Sequence, residues 1–353
     1  MHSERRPRLT PAIADVRRAV RELLTDRPQQ ETADGLVLVG LSGGADSLAL
    51  AAATAFEAPR LGLRAGAVIV DHALQAGSAE VAARAAEQAR ALGLAPVLVS
   101  RVDVVAAGAG NGPEAAARTA RYAALEAARA ETGATHVLLG HTLDDQAESV
   151  LLGLARGSGA TSLHGMAPVT GMLLRPLLGI RRETTRQFCE DAGVTPWDDP
   201  HNFDQRFARV RVRTSVLPTL EGEIGPGIAE ALARTAEQLR EDASALDAMV
   251  LEMIEEICEP AEAGIAVSVR SLAANPPALR QRIVRYVVES EFGVSLARVH
   301  TLAVLRLVTD WHGQGTLDLP GVRVERQDGM LVFSAPGTSP SKGPLPSHGT
   351  SRH

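Results

Sequence analysis

The chain has almost no lysine: of its 36 basic residues only Lys342 is not arginine. Any side chain that steadies an anionic ligand in its folded part is therefore expected to be a guanidinium. Cysteine is scarce as well. Cys189 and Cys258 stand far apart and in no C-x-x-C arrangement, which excludes a disulfide framework and a thiolate zinc or iron–sulfur site; both are expected as buried thiols. No apolar run approaches the length of a bilayer span, and Met1-His2-Ser3-Glu4-Arg5-Arg6 leads into no signal-like apolar core, so a cytoplasmic location without membrane attachment is expected. Nor is there an excess of positive charge. The formal net charge of −6 argues against a protein coated in nucleic acid, although recognition depends on local patches rather than on the sum.

What is present is the composition of an ordinary globular protein, 45% apolar and 22% charged, with 353 residues available for two or three cores. In the first half, apolar runs at 36–41, 66–70, 96–100 and 136–140 alternate with Ala-rich helical segments near 47–56, 78–92, 113–131 and 145–155. This alternation predicts a parallel sheet covered by helices, with ligands beyond the carboxyl ends of the strands. Residues 171–218 change character, with Arg175-Pro176, Arg181-Arg182, a short helical stretch to Asp191 and a polar, Pro-punctuated segment. From about 226 to 258 the apolar spacing reads as one long helix, or two with a break. Helices near 276–290 and 295–311 and two strands, Val322 to Arg326 and Met330 to Ser334 about an Asp328-Gly329 turn, follow. The stretch after Pro336 is rich in Pro, Ser and Gly, a composition expected to be disordered.

The most informative segment is Ser42-Gly43-Gly44-Ala45-Asp46-Ser47, between the first apolar run and the first helix. Two glycines allow successive backbone N–H groups to point into one concavity, and the helix N-terminus adds its positive dipole end. The hydroxyls of Ser42 and Ser47 add donors. There is no Gly-Lys-Ser/Thr ending and no Gly-x-Gly-x-x-Gly, so this is neither a Walker A loop nor a dinucleotide fingerprint. An acid, Asp46, stands in the loop instead. A carboxylate beside phosphates calls for a cation between them, which makes Asp46 a candidate Mg²⁺ ligand.

Ser-Gly-Gly-x-Asp-Ser resembles the PP-loop of the ATP pyrophosphatases, which split ATP between its α and β phosphates. The resemblance implies an α/β fold, a doubly wound, mostly parallel sheet of the adenine nucleotide alpha hydrolase-like type, with ATP and Mg²⁺ as cofactors. It also implies that His72, in Asp71-His72 after the second strand, contacts the nucleotide. The fourth strand ends in Gly140-His141-Thr142-Leu143-Asp144-Asp145-Gln146-Ala147-Glu148-Ser149, where helical spacing puts Asp144 and Glu148 on one side and Asp145 one residue round. Upstream, Arg118 and Arg121 stand at i and i+3 of a helix, placed to hold phosphates or a nucleotide. Downstream, Arg206-Phe207-Ala208-Arg209-Val210-Arg211-Val212-Arg213 is a basic stretch able to pair phosphates and stack a base; as a strand it aligns Arg209, Arg211 and Arg213, as a helix it spreads them.

These three segments resemble the tRNA(Ile) lysidine synthetases over about residues 35 to 335, with Ser149 where Thr is usual, Phe207 where Tyr is common and Val210 where Asn is common. The resemblance implies ATP-dependent ligation of L-lysine to C2 of the wobble cytidine in the CAU-anticodon isoleucine tRNA, through an adenylated tRNA, with release of AMP and pyrophosphate. On this reading Asp46, Arg118, His141, Asp144, Asp145 and Glu148 are the catalytic candidates, and Ser42 to Ser47 with His72 hold the nucleotide. The acids would hold and deprotonate lysine's amine, with Arg118 and His141 answering the phosphoryl charge. Arg121, Arg206, Phe207, Arg209, Arg211 and Arg213 would contact tRNA. The expected partners are that tRNA and lysine, with self-association as a homodimer left open. Two alternatives share the fold: a tRNA 2-thiolating enzyme, which two isolated cysteines serve badly, and an ATP-binding sensor without chemistry. The expected domains are a helical extension over 1–30, the catalytic domain over 31–218, a mainly helical substrate domain over 219–335 and a tail over 336–353.

Overall fold

The structure is a computed structural model and describes residues 9–26, 35–71, 77–102, 113–157, 160–199, 203–261 and 264–337. They form two compact units that divide between Arg240 and Glu241.

The first unit is built on strands β1 (Leu36–Gly40), β2 (Arg64–Asp71), β3 (Val97–Arg101), β4 (His136–Leu139), β5 (Val169–Thr170) and β6 (Leu173–Leu174), in the order β3-β2-β1-β4-β6-β5. All pairings are parallel except that of β5 with β6. The apolar run of β1 is continuous because both faces are covered. Val37 and Val39 join the cluster that includes α1 (Pro11–Asp26), α2 (Ala45–Glu57), α3 (Ser78–Ala91) and α6 (Arg182–Ala192), whereas Leu36 and Leu38 meet Leu125 and Ala128 of α4 (Pro113–Thr132). Ile13, Val16, Val20 and Leu24 recur at helical spacing on α1 and are fully buried in the first of these clusters. The N-terminal helix is thus part of the core rather than an appendage to it.

The strand order reverses at β1, which has β2 on one side and β4 on the other, with Gly40 paired to Leu139. The crevice beyond the carboxyl ends of these two strands is the expected ligand position in such a sheet. It receives the loop leading into α2 and the residues leading into α5 (Leu143–Ala155).

The Arg-rich stretch is helical, which closes the alternative of a strand. Helix α7 (Ala208–Arg211), a π-helical turn over Val212–Val216 and α8 (Leu217–Glu223) run on without interruption, and the Leu217 N–H donates to the carbonyl of Val212, five residues back. Val212 and Leu217 pack with Leu143 and Ala147 of α5 and with Ala229 of α9 (Ile228–Ile257). This shared core is the reason that the unit boundary falls inside α9 rather than at 218/219. Helix α9 is single and unbroken.

The second unit has β7 (Cys258–Ala261), β8 (Gly264–Ser268), β9 (Leu317–Leu319), β10 (Val322–Gln327) and β11 (Met330–Ser334) in an antiparallel sheet of order β7-β8-β11-β10-β9. Helices α10 (Val269–Ala274), α11 (Pro277–Phe292) and α12 (Arg298–Thr309) pack on it. Asp328 and Gly329 both have positive φ, 48° and 82°, as a two-residue hairpin turn of the expected kind demands. Cys258 is half-buried at the sheet edge; only Cys189 is the buried thiol expected of both. The tail beyond Gly337 lies outside the described residues. Among the described residues no helix is long and apolar enough to cross a membrane.

Candidate active site

The loop after β1 is shaped as the glycines suggest. Gly43 takes φ +85°, a conformation closed to most side chains, and Gly44 is the N-cap of α2 without any side-chain capping bond. The first intrahelical bond runs from Leu48 N to Gly44 O at 3.0 Å, so the N–H groups that open α2 have no partner within the helix. Ser42 and Ser47 are 3.1 Å apart through their hydroxyls, and Ser47 Oγ donates to Gly44 O at 2.9 Å. Trp197 donates its backbone N–H to Gly43 O at 2.9 Å and so ties the segment after α6 to the loop.

Gly140 brings the end of β4 against this loop. A Cβ there would lie 3.0 Å from Asp46 O and 3.1 Å from Ser47 N, a separation that backbone atoms tolerate only with a shift. Two residues on, Thr142 caps α5: its N–H donates to Asp145 Oδ2 at 2.8 Å, and its hydroxyl accepts from the Asp145 N–H.

The acids of α5 are brought together as their spacing implies, but they are already paired. Arg182 reaches Asp145 Oδ1 at 2.8 Å, Glu148 Oε1 at 3.2 Å and Asp46 Oδ2 at 3.5 Å. Arg213 reaches Glu148 Oε1 at 2.7 Å, and Arg209 reaches Glu148 Oε2 at 3.5 Å and Ser149 Oγ at 2.8 Å. Asp144 accepts from the backbone N–H of Arg182 at 2.8 Å and faces Arg181 at 3.5 Å. Four carboxylates, Asp46, Asp144, Asp145 and Glu148, thus meet four guanidiniums. Burial alone would raise the pKa of Asp145; Arg182, the Thr142 N–H, His141 and Arg213 reverse this and hold it below the ordinary carboxylate value. Arg182 is likewise penalised by burial, yet the surrounding acids raise its pKa and fix its charge. A cavity of about 130 Å³ is bounded by Asp144, Glu148, Arg181, Arg182 and Arg213 together with residues of α8 and α9.

Because the helix begins at Ala208 and Arg206 lies in the turn before it, the arginines divide. Arg209 and Arg213, four residues apart, turn in toward α5, whereas Arg206 pairs with Asp204 at 2.7 Å in solvent and Arg211 donates to the carbonyls of Gln205 and Arg206. Phe207 is half-buried. Arg206 and Arg211 remain candidates for an RNA surface; Arg209 and Arg213 belong to the acidic cluster.

His141 is neutral near pH 7. Burial pushes its pKa down to about 4, and the cations of Arg175, Arg118 and Arg209 add to this against the opposing effect of Asp145. It therefore offers an N–H and a lone pair, not a positive charge, and its Nδ1 is buried without a hydrogen-bond partner. Arg118 donates to the Tyr122 hydroxyl at 3.2 Å. Arg121 reaches solvent, yet the protein crowded about its head and the like charges of Arg118 and Arg209 lower its pKa. The charges of Arg118 and Arg209 are therefore felt at both His141 and Arg121. His72 lies outside the described residues.

Asp46 is the carboxylate of the loop itself. Burial raises its pKa, while a hydrogen bond from Thr185 and the charge of Arg182 act in the other direction. Among the described residues no group of three or more His, Cys, Asp and Glu could hold a metal ion unaided. One carboxylate beside a phosphate cradle nonetheless suits Mg²⁺, which keeps water and substrate phosphates as its other ligands. Sequence reasoning missed Arg182 and Thr185. The available signal was Arg181-Arg182 opening a helix, where the dipole disfavours cations unless acids from elsewhere answer them.

Residues 14–220 match the family described as PP-loop domain, and residues 268–332 the family described as TilS substrate binding domain. The chain is 67% identical over 308 residues to the tRNA(Ile)-lysidine synthase of Leifsonia xyli subsp. xyli (strain CTCB07), covering 87% of this chain and 92% of the relative. It is 52% identical over 328 residues to the tRNA(Ile)-lysidine synthase of Thermobifida fusca (strain YX), covering 92% of this chain and 98% of the relative. Among solved structures, the U34-tRNA thiolase NcsA from Methanococcus maripaludis with its [4Fe-4S] cluster aligns with a TM-score of 0.54 at 19% identity, over 65% of this chain and 80% of that one, and shares the fold.

Proposed function

The chain belongs to the tRNA(Ile)-lysidine synthase family, and from that premise we propose how its cleft joins L-lysine to C2 of the wobble cytidine in the CAU-anticodon isoleucine tRNA, with ATP converted to AMP and pyrophosphate. The observation that carries the reading is the approach at Gly140, which sets His141 and the acids of α5 directly beside the loop that cradles phosphate.

Cytosine O2 is a poor leaving group until it is adenylated. Its attack on the α-phosphorus releases pyrophosphate, and the N–H groups at the start of α2, which make no bond within the helix, are placed with the Ser42 and Ser47 hydroxyls to hold the developing charge. Asp46 would hold Mg²⁺, which when bound neutralises phosphate charge. Arg118, whose charge acts on His141, is the candidate for the adenylate phosphate, neutral His141 serves as a hydrogen-bonding group there, and Arg121 is a candidate tRNA contact.

Lysine must then present a free amine to C2. The ammonium is held by the carboxylates of Asp144, Asp145 and Glu148, next to the cavity that Asp144 and Glu148 line, and one of them accepts its proton. Since these acids are already paired with arginines, the ammonium shares or exchanges a carboxylate rather than meeting a bare one. Attack at C2 breaks the C2–O2 bond, and AMP departs. Arg206 and Arg211, which face outward, are the tRNA contacts on this surface, and the enzyme works in the cytoplasm where tRNA is modified.

The shared fold with a thiolase does not extend to its chemistry. The chain has two cysteines, and burial pushes the Cys189 thiol up to about 12, which leaves it protonated and unreactive.

The test is mass spectrometry of nucleosides from CAU-anticodon isoleucine tRNA incubated with the protein, ATP and lysine. A lysine-bearing cytidine that requires both small molecules is expected. Its absence with folded protein and the correct tRNA overturns the reading, and a thiolated nucleoside would replace it.

A further inference from the structure

Arg182 touches both halves of the cleft, the phosphate loop and α5. It opens α6, where the helix dipole is unfavourable to a cation and where its N-cap, Arg181, makes no side-chain capping bond. The acids reverse that penalty. Asp144 accepts the Arg182 backbone N–H at 2.8 Å, replacing the missing cap, while the guanidinium spreads its donors over three carboxylates: Nη2 to Asp145 at 2.8 Å, Nη1 to Glu148 at 3.2 Å and Nε to Asp46 at 3.5 Å. Asp46 belongs to the phosphate loop and the other two to α5, so the contacts join two elements that also approach through the backbone at Gly140.

Resting on the reading above, we propose that Arg182 is a positioning residue that sets the carboxylate serving ATP against the carboxylates serving lysine. The planar fork is what the role requires. Three carboxylates this close repel one another, and a guanidinium aims separate N–H groups at each of them, whereas an ammonium is a single point that cannot hold all three in fixed directions. Arg213 and Arg209 add charge to Glu148 but touch no atom of the loop. Thr185, one turn along the same helix, donates to the other oxygen of Asp46, so α6 fixes both ends of that carboxylate. The arrangement is poised for a two-substrate reaction: adenylation and amine attack occur at sites whose acids share one cation.

The experiment compares the full-length wild type with Arg182→Lys and Arg182→Ala, measuring lysidine formation, kcat and the KM values for ATP and lysine. Arg182→Lys keeps the charge and is expected to lower kcat by roughly 10- to 100-fold, the scale of a misplaced reacting group, with an unchanged circular dichroism spectrum and smaller changes in either KM. Arg182→Ala is expected to lose more, and millimolar methylguanidine should restore part of its rate without accelerating the wild type. Arg182→Lys turning over within threefold of wild type overturns the proposal. So does a folded Arg182→Ala whose lost rate methylguanidine leaves untouched, because a purely structural role would behave in that way; if Arg182→Ala does not fold, Arg182→Lys alone decides. Lysidine formation by the wild type is measured in parallel, so failure of the functional reading shows there and not in the comparison.

Discussion

Arg213 Nε stands 2.7 Å from Oε1 of Glu148, a carboxylate with no exposed surface. Arg213 comes from the π-helical turn at Val212–Val216, the irregularity in an otherwise α-helical run, and such turns often sit at functional sites. Glu148 has Arg182 and Arg209 within 3.5 Å as well.

Removing the acid therefore takes a carboxylate from three half-buried cations at once: Arg182 and Arg213 keep Asp145, whereas Arg209 keeps only the Ser149 hydroxyl. Glu148→Ala is expected to lower unfolding stability by about 2 kcal/mol, the scale for lost hydrogen bonds between charged groups. Arg213→Met should cost only about 1 kcal/mol, since Glu148 retains two guanidiniums. Urea unfolding of the two variants, with m-values compared, checks the difference; equal losses would show that the network does not share its charge in this way.

The depressed pKa of His141 gives a pH dependence whose sign is fixed. Its native pKa is about 4, whereas an unfolded histidine titrates near 6.5. Between these values the unfolded chain binds a proton that the native chain refuses, so stability falls as the pH drops from 6.5 toward 4. In His141→Gln this contribution is gone. Its urea midpoint should fall less than that of the wild type over the same window, and the two should run parallel above pH 7.

Much of this was legible in the sequence because it is local. The strand-loop-helix about Ser42 to Ser47 follows from glycine placement and an apolar run, the Asp328-Gly329 turn from φ requirements, and the shared face of Asp144 and Glu148 from helical period. The partners of those acids were not legible. Arg182 is separated from Asp145 by the β5–β6 hairpin, whose two-residue strands carry no periodicity, and Arg213 turns inward only because Val212 and Leu217 pack on α5. Reading residues 206–213 as a basic stretch for tRNA left out the buried face of the helix that carries Arg209 and Arg213. The five-stranded sheet of the second unit was legible only at β10 and β11, since β7 and β9 are short and lack a run of alternating apolar residues.

Gly140 tests whether the approach of β4 to the loop matters to ATP. In Gly140→Ala the new methyl would sit 3.0 Å from Asp46 O, and the loop must yield by a few tenths of an ångström. We expect the KM for ATP, read from pyrophosphate release, to rise by on the order of tenfold. Gly222→Ala is the contrasting change: it lies in α8 with nothing within 4 Å of the added methyl, so it should raise stability by about 0.5 kcal/mol and leave the KM unchanged.

Asp46 separates catalysis from stability most clearly. Burial raises the pKa of its carboxyl, which means that keeping it ionised at pH 7 works against the fold. Asp46→Asn removes that charge while retaining an acceptor for the Thr185 hydroxyl. Its unfolding midpoint at pH 7 is therefore expected to match or exceed that of the wild type, whereas AMP and pyrophosphate formation should fall by at least roughly 100-fold, the scale of a lost electrostatic contribution to a transition state. Binding of the isoleucine tRNA should stay within about twofold, since the change leaves Arg206 and Arg211 untouched and is worth under ~0.5 kcal/mol there. Joint loss of stability and tRNA binding would instead make Asp46 a support of the loop's fold. A gain in stability with loss of turnover would mark it as a charge retained for chemistry, at the expense of the fold that holds it.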